Sequence, residues 1–218
     1  MTARERILAR IRARQGKSPV ATEAERAAAR AQIQARPASV RPRMDWEPLA
    51  RFRERAQGLA STVDDVETLA AVPAAVARYL EASGLPRVAV CWKELNALDW
   101  SGAGMQVEAR AARDTDLIGI TGAFCAIAET GTLMTVSGRD TPPTVSLLAE
   151  THVAVVNASR IVRGMEEAWQ LVRSELGRLP RAVNFISGPS RSADIEQTVT
   201  LGAHGPYRVH IIVVARAD

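Results

Sequence analysis

Cysteine is scarce in this sequence, which contains only Cys91 and Cys125. The two lie far apart in otherwise apolar runs, so neither a disulfide framework nor a cluster of metal ligands is available. Because no C-x-x-C motif is present, the chain by itself is not predicted to hold an iron–sulfur cluster. We therefore predict two buried, reduced thiols and no metal site.

Long hydrophobic runs are missing as well. No stretch approaches the roughly 20 apolar residues that a membrane span requires. The N-terminal segment MTARERILARIRARQ has the pattern of an arginine-rich helix and lacks the apolar region of a secretory signal. Together these features predict a cytoplasmic protein that is neither secreted nor integral to a membrane.

Lysine is almost absent, and the positive charge comes from arginine in all but two positions, Lys17 and Lys93. Residues 1–60 hold 14 Lys+Arg against 6 Asp+Glu, whereas residues 61–218 hold 14 against 18. The basic character therefore belongs to the N-terminal part, which has few aromatic residues and no recognised nucleic-acid-binding motif. We predict solvated or partner-binding helices there, and no nucleic-acid binding.

The N-terminal part has helical patterns along most of its length. Thr22 with Glu25 three residues later has the spacing of a capping box, and Pro37 interrupts the pattern that follows. The predicted helices cover residues 3–14, 22–35, 47–60 and 63–82, and Pro73 is expected to split the last of them. We predict that residues 1–84 form a helical extension that packs on the core of the protein.

From residue 87 onward, short apolar runs alternate with helical or loop segments. The predicted strands cover residues 87–92, 117–121, 132–136, 152–157, 182–187 and 207–215, and the predicted helices cover 144–150 and 164–176. Uniformly apolar strands joined through helices are typical of a mostly parallel sheet flanked by helices. We therefore predict an α/β domain over residues 85–218, with its site in the loops that follow the strands.

The first candidate loop runs from Gly119 to Thr132 and contains Glu129 between Ala128 and Thr130. A carboxylate in such an apolar stretch is costly unless it is hydrogen-bonded or its pKa is raised. Glu129 is thus a candidate base, nucleophile or ligand-binding carboxylate. The alternative is that it caps a turn through neighbouring backbone amides.

The second candidate region extends from Gly188 to Pro206. A strand that leads into Gly188-Pro-Ser190 and then into a predicted helix offers amides and hydroxyls to an anion. Arg191 is a candidate clamp for a carboxylate or phosphate, and Asp194 supplies an acidic group nearby. The alternatives are tight turns and a structural ion pair between Arg191 and an acidic neighbour.

Histidine occurs three times. His204 is a candidate functional imidazole, because Gly202 and Gly205 hold it on a loop where it can titrate or bind a ligand. His152 and His210 begin or lie within apolar strands, and we predict that both are structural. The sequence contains neither the phosphate-binding G-x-x-x-x-G-K-[ST] motif nor the G-x-S-x-G nucleophile motif.

Three motifs resemble, in their order and spacing, those of the LUD-domain family. They are Ala128-Glu-Thr-Gly-Thr132, Ser187-Gly-Pro-Ser-Arg-Ser-Ala-Asp-Ile-Glu196 and Gly202-Ala-His-Gly-Pro206. Within that family the chain is similar to the small C subunit of bacterial L-lactate utilization systems. The resemblance covers residues 85–218. The helical N-terminal extension is a further feature in common with the family.

The resemblance implies an α/β fold similar to the sugar-phosphate isomerase and CoA-transferase (NagB/RpiA-like) superfamily. It also implies a part in the oxidation of L-lactate to pyruvate, together with two partner subunits that carry the iron–sulfur clusters. In the related CoA-transferase fold a glutamate near a glycine turn forms an acyl intermediate, and Glu129 before Thr130-Gly131 invites that comparison.

Three functions remain open at this point. In a non-redox subunit of a lactate-oxidising complex, Arg191 would bind the carboxylate of a small acid and His204 would accept its hydroxyl proton, with the basic helices docking partner subunits. In a self-sufficient isomerase or acyl-transferase acting on a phosphorylated or CoA-linked substrate, Glu129 would be the base or nucleophile and residues 188–191 the anion cradle. A regulatory module would bind a metabolite without turnover. We expect the loops around Glu129, Arg191 and His204 to form one cleft.

Overall fold

The computed structural model describes residues 2–36, 40–192 and 200–216, and its contacts divide the chain into two compact units, Met1–Arg43 and Met44–Asp218. The division falls after Arg43 rather than after residue 84. Residues 44–84, which the sequence placed in the helical extension, are therefore part of the same unit as the α/β region.

The first unit contains two helices, α1 (Ala3–Arg14) and α2 (Glu23–Ala35), which confirms the two helices predicted there. The capping box of α2 is also confirmed, because the Thr22 hydroxyl accepts from the Glu25 N–H and the Glu25 carboxylate accepts from the Thr22 N–H. Arg12 forms an ion pair of 2.7 Å with Glu25. Neither helix contains a buried residue, so polar contacts rather than an apolar core hold this unit.

The second unit contains four helices and twelve strands in its described part. The helices are α3 (Pro48–Gly58), α4 (Val72–Ala82), α5 (Thr144–Leu147) and α6 (Met165–Leu176). The strands are β1 (Thr62–Val66), β2 (Val88–Cys91), β3 (Gln106–Ala109), β4 (Ile118–Gly122), β5 (Cys125–Ile127), β6 (Thr132–Val136), β7 (Thr151–Asn157), β8 (Ile161–Val162), β9 (Val183–Ile186), β10 (Arg191–Ser192), β11 (Thr200–Leu201) and β12 (Arg208–Val214).

The central sheet has six strands in the order β1-β12-β7-β4-β2-β3, and every neighbouring pair is parallel. Successive side chains of a strand point to opposite faces. Ile212 accordingly packs with Leu80 of α4, while Ile211 packs with Phe52 and Ala56 of α3. Helices thus cover both faces of a parallel sheet, which confirms the predicted α/β class; the specific superfamily resemblance remains a prediction.

A second, smaller sheet has the order β8-β5-β6-β9, in which β5 pairs with β8 in parallel and with β6 in antiparallel direction. Helix α6 covers it through Ala168 and Val172, which pack with Ile127 and Met134. Strands β10 and β11 form a separate antiparallel pair. The predicted strand at 182–187 is therefore present as β9, but it belongs to this smaller sheet and not to the central one.

The helix predicted over residues 63–82 is wrong in its first part. Residues 62–66 form the edge strand β1, which pairs in parallel with β12. Thr62, Val63 and Val66 are β-branched and favour a strand, and the acidic residues between them are tolerated at a sheet edge. Pro73 does not split a helix, because it lies in the first turn of α4, where no intrahelical N–H donor is needed.

Candidate functional site

A cavity opens at the carboxyl ends of the parallel strands, from β12 across β7 and β4 to the turn after β2. The chain continues from β2 to β3 on one side, and from β4 to β7 and β12 on the other. The strand order thus reverses between β2 and β4. Open α/β sheets bind ligands in the crevice that forms where loops leave two neighbouring strands in opposite directions. A cavity of about 290 Å³ lies here, lined by the polar residues Glu94, Asn157 and Arg216 and by apolar residues that include Leu95 and Val155. We call it the switch-point cavity.

Glu94 lies in a helical turn that follows β2, and the two residues before it anchor this turn. Trp92 Nε1 donates a hydrogen bond of 3.0 Å to the carbonyl oxygen of Pro142. Lys93 Nζ forms an ion pair of 3.3 Å with Asp140. These two contacts fix the backbone from which the Glu94 side chain projects.

The Glu94 carboxyl group lies against the end of β4. Its Oε1 atom is 2.0 Å from the position that a Cβ atom on Gly122 would take, so the glycine gives the carboxyl its room. Although Glu94 is an exposed residue, the protein atoms around its carboxyl remove part of the solvent from it, which raises the pKa of Glu94. Within the part of the chain that the structure describes, the carboxyl has no hydrogen-bond or ion-pair partner. An unpaired carboxyl with a raised pKa in a cavity is suited to hydrogen bonding or proton transfer with a ligand.

Asn157 and Arg216 supply the other polar groups of the switch-point cavity. The Asn157 Oδ1 atom accepts from the N–H and the hydroxyl of Ser159, at 2.9 and 2.7 Å. These bonds fix the orientation of the amide and leave its NH₂ group for a ligand. Arg216 follows β12, where its N–H donates to the carbonyl oxygen of Glu67 at 3.0 Å. Its guanidinium is the positively charged group among the lining residues.

A second cavity, of about 390 Å³, lies between α3 and the ends of β1 and β12. Two of its lining residues, Arg53 and Asp65, form an ion pair of 2.5 Å with each other. Because the Arg53 guanidinium is already paired with Asp65, the second cavity offers less to a negatively charged ligand than the switch-point cavity does.

Glu129 lies in the turn after β5, beside the first turn of α6. Its N–H donates to the carbonyl oxygen of Arg163, and its Oε2 atom is 3.5 Å from the position of a Cβ atom on Gly164. Gly164 is the N-cap of α6, and the partial positive charge of a helix N-terminus favours a carboxylate there. No hydrogen bond joins the Glu129 carboxylate to a described residue, so its predicted role as a base or nucleophile stays a prediction.

A chain of hydroxyl groups connects the first candidate loop with the second. Thr130 Oγ1 lies 2.7 Å from Thr132 Oγ1, which in turn lies 2.7 Å from Ser187 Oγ. The register explains this contact, because Thr132 and Ser187 flank the paired residues Leu133 and Ile186 of β6 and β9. The structure therefore brings the Glu129 turn close to the start of the Gly188 loop.

The glycines of both loops make room for the end of α3. A Cβ atom on Gly131 would lie 2.5 Å from the backbone nitrogen of Ala56, and one on Gly188 would lie 2.3 Å from the carbonyl oxygen of Leu59. Both glycines also have a positive φ, of 66° and 79°. These two loops are glycine-rich because they pack against a helix end, which accounts for part of the pattern that predicted a site.

The anion cradle at Gly188, Ser190 and Arg191 stays a prediction, but two of its expected features differ in the structure. Arg191 begins a strand, β10, rather than a helix. The Ser190 N–H donates to the carbonyl oxygen of Pro206 at 2.9 Å, so it is not available to an anion. The exposed Arg191 guanidinium donates to the carbonyl oxygen of Leu59 at 3.4 Å, where its charge complements the C-terminus of α3.

His204 lies in the turn that leads from β11 back to the central sheet. The Gly202 N–H donates to the carbonyl oxygen of Ser190, and a Cβ atom on Gly205 would lie 3.3 Å from the Ser190 Cβ. His204 and Arg191 thus belong to the same hairpin, and His204 is exposed. Asp194 lies outside the described residues. The single cleft around Glu129, Arg191 and His204 stays a prediction.

The remaining histidines and both cysteines are buried in the core, which agrees with a structural role. His152 and His210 are buried, and each forms a hydrogen bond of 2.8 Å with a threonine hydroxyl, Thr121 and Thr62 respectively. The two thiols are buried and unpaired. Burial raises the pKa of both Cys91 and Cys125 to about 11, which keeps them protonated and unreactive.

The polar residues of the switch-point cavity were not among the residues predicted from the sequence. Glu94 directly follows the predicted strand 87–92, and Asn157 ends the predicted strand 152–157. Both positions meet the rule that sites follow strands in α/β sheets. The glycine-rich loops were predicted as the site instead, but Gly131 and Gly188 are explained by their packing against α3.

The chain matches a known domain family over most of its length. The model of the LUD domain matches residues 5–214. Lactate utilization protein C of Bacillus subtilis is 39% identical over 101 residues, which are 45% of this chain and 42% of that protein. The same-named protein of Anoxybacillus flavithermus is 40% identical over 97 residues, 44% of this chain and 43% of that protein. The aligned region thus spans less than half the length of either curated relative.

A solved structure has the same fold. The crystal structure of a DUF162 family protein from Deinococcus radiodurans superposes with a TM-score of 0.58 and 26% identity, and covers 77% of this chain and 96% of that one. Among the described residues, no helix is long and apolar enough to cross a membrane. Because the LUD domain model matches nearly the whole chain, this protein belongs to the LUD-domain family.

Proposed function

We propose that this chain is a component of a bacterial L-lactate utilization system, in which it supports the oxidation of L-lactate to pyruvate. The observation that carries the proposal is the identity of about 40% with proteins named lactate utilization protein C. The aligned region is less than half of each relative. Their names therefore support a role in lactate utilization, but they do not identify the chemical step that this chain performs.

The oxidation of L-lactate needs an electron acceptor. Conversion of L-lactate to pyruvate releases two electrons and two protons, one from the hydroxyl group. An iron–sulfur cluster is usually held by four cysteine ligands, whereas this chain has Cys91 and Cys125, both buried. We propose that partner subunits carry the clusters, and that the arginine-rich helices α1 and α2, which bury no residue, dock onto them.

Growth on L-lactate tests the proposal. A bacterial strain without its other lactate-oxidising enzymes is deleted for this gene and complemented with the wild-type chain. We expect the deletion to abolish growth on L-lactate but not on pyruvate, and the wild-type gene to restore it. Equal growth on L-lactate with and without the gene would rule out the proposed process.

The same strain distinguishes the candidate residues. Glu94→Ala tests the switch-point cavity, and Glu129→Gln, Arg191→Ala and His204→Ala test the loops, each with the protein level measured. Loss of growth for a variant that accumulates normally assigns its residue to the process. Arg178→Gln, which removes an exposed arginine on another surface, is the control for a change in charge alone.

A second candidate function, acyl or CoA transfer, is favoured by the unpaired Glu129 carboxylate beside the N-terminus of α6. In this reaction the carboxylate would attack the thioester carbonyl of an acyl-CoA, release the CoA thiol and retain the acyl group as an anhydride. Mass spectrometry of the purified chain after incubation with acyl-CoA would detect the adduct, which Glu129→Gln should abolish. Binding of a metabolite without any adduct or turnover would instead indicate a regulatory module.

A further inference from the structure

The switch-point cavity combines three kinds of surface within one small volume. Glu94 contributes an unpaired carboxyl group, Arg216 a positive charge, and Asn157 an amide whose NH₂ group has no acceptor among the described residues. The rest of the wall is apolar and includes Leu95 and Val155. A ligand that binds to all three polar residues and to the apolar wall needs a negative group, a second polar group that can form a hydrogen bond with a carboxyl, and a small apolar part.

The size of the cavity limits the ligand further. Its volume of about 290 Å³ is at the lower end of the range of small-molecule pockets, roughly 300–1,000 Å³. A whole CoA molecule does not fit inside this volume. A metabolite of a few carbon atoms, with or without ordered water molecules, fits.

Gly122 indicates that the position of the Glu94 carboxyl is built into the fold. The carboxyl rests where any larger residue at position 122 would put its Cβ atom. The contacts of Trp92 and Lys93 with the segment 140–142 hold the backbone of the same turn in place. Glu94 is therefore an exposed residue whose carboxyl group has a defined position in the fold.

We propose that the switch-point cavity binds a small 2-hydroxy acid, whose carboxylate pairs with Arg216 and whose hydroxyl group forms a hydrogen bond with Glu94. The amide of Asn157 donates a second hydrogen bond to the carboxylate, and the apolar wall accepts the carbon chain. The choice of a 2-hydroxy acid rests on the proposed function. The assignment of the cavity and of Glu94 rests on the geometry alone.

Calorimetric titration of the full-length purified chain tests the binding. L-Lactate and propionate are the probes, because they differ only in the hydroxyl group. We expect L-lactate to bind about tenfold or more tightly than propionate, since a site that hydrogen-bonds a hydroxyl group discriminates against an analogue without it. The absence of lactate binding at about 10 mM, well above common KM values, would overturn the proposal.

Variants locate the site. Glu94→Ala and Gly122→Ala should each weaken lactate binding about tenfold, the first by removing the carboxyl and the second by displacing it. Gly122→Ala should have little further effect in the Glu94→Ala background, because both changes act on one group. Glu94→Gln retains a hydrogen-bonding side chain and should restore most of the affinity. Gly58→Ala, whose Cβ meets open space, is the matched control.

The outcomes also separate this inference from the proposed function. If lactate binds with wild-type affinity to Glu94→Ala and Gly122→Ala, the cavity assignment is wrong, whatever the growth experiment shows. If the gene is dispensable for growth on L-lactate while a small carboxylate still binds through Glu94 and Arg216, the cavity is a ligand site and the proposed process is wrong.

Discussion

The Oε1 atom of Glu94 occupies the space into which a side chain on Gly122 would project, 2.0 Å from the ideal Cβ position. Gly119, three residues earlier on the same strand, faces a different neighbour. A Cβ atom there would lie 1.9 Å from the backbone oxygen of Val145 in α5. Strand β4 therefore contains one glycine that makes room for a functional group and one that makes room for a helix.

Alanine at these two positions should affect stability differently. Gly122→Ala displaces the end of a flexible side chain, so we expect the free energy of unfolding to change by less than about 1 kcal/mol. Gly119→Ala forces the backbone of α5 away from the sheet and should cost at least about 2 kcal/mol. Urea unfolding followed by circular dichroism measures both. Equal losses would mean that the Glu94 carboxyl is held as rigidly as the α5 backbone.

The two glycines against the end of α3 should be more sensitive to substitution than their backbone angles require. Gly84 has a φ of 64° and open space around its Cβ position, so Gly84→Ala measures the backbone strain alone, about 1 kcal/mol. Gly131→Ala and Gly188→Ala add a collision with the backbone of α3 and should each cost about 2 kcal/mol more. Urea unfolding compares the three variants. If all three lost the same stability, packing against α3 would not explain these glycines.

The repeating apolar patterns predicted most elements of the fold. Residues 132–136 form β6 at the predicted positions, and 164–176 contain α6. The pattern failed at β1, where Asp64 and Asp65 resemble the acidic first turn of a helix. Only the parallel partner strand β12, about 150 residues away in the chain, makes this segment a strand, and local sequence carries no information about that partner.

The candidate site was harder to predict than the fold. Glycine and polar residues around Gly131 and Gly188 indicated a ligand loop, but the neighbours that require these glycines, Ala56 and Leu59, lie in a helix distant in sequence. The cavity beside Glu94 depends on the order of the strands, because it opens where the chain leaves β2 and β4 in opposite directions. A strand order is a property of the whole sheet, which no single motif encodes.

The α/β unit should fold without the first 43 residues. The contacts divide the chain at this point, and neither α1 nor α2 contains a buried residue. We expect a chain that begins at Met44 to keep the thermal unfolding midpoint of the full chain within a few degrees, since no apolar core is removed. Scanning calorimetry of the two chains makes the comparison. A large decrease in the midpoint would show that the first unit contributes to the stability of the second.

Stability should depend on pH through the two buried histidines. Burial lowers the pKa of His152 and of His210 from 6.5 to about 4. Between these values the unfolded chain binds protons at both positions and the folded chain does not, so the free energy of unfolding decreases as the pH falls from 6.5 to 4. The loss is of the order of 3 kcal/mol for each histidine.

His152→Gln tests this dependence, because glutamine can keep a hydrogen bond to Thr121 without titrating. Urea unfolding of the wild type and the variant is measured at several pH values between 4 and 8. Above pH 7 the difference in stability between the two proteins should be constant, because His152 is neutral in both the folded and the unfolded wild type. Below pH 6.5 the wild type should lose stability faster than the variant. Parallel curves down to pH 4 would mean that His152 accepts a proton in the folded protein as readily as in the unfolded one, which its complete burial on strand β7 argues against.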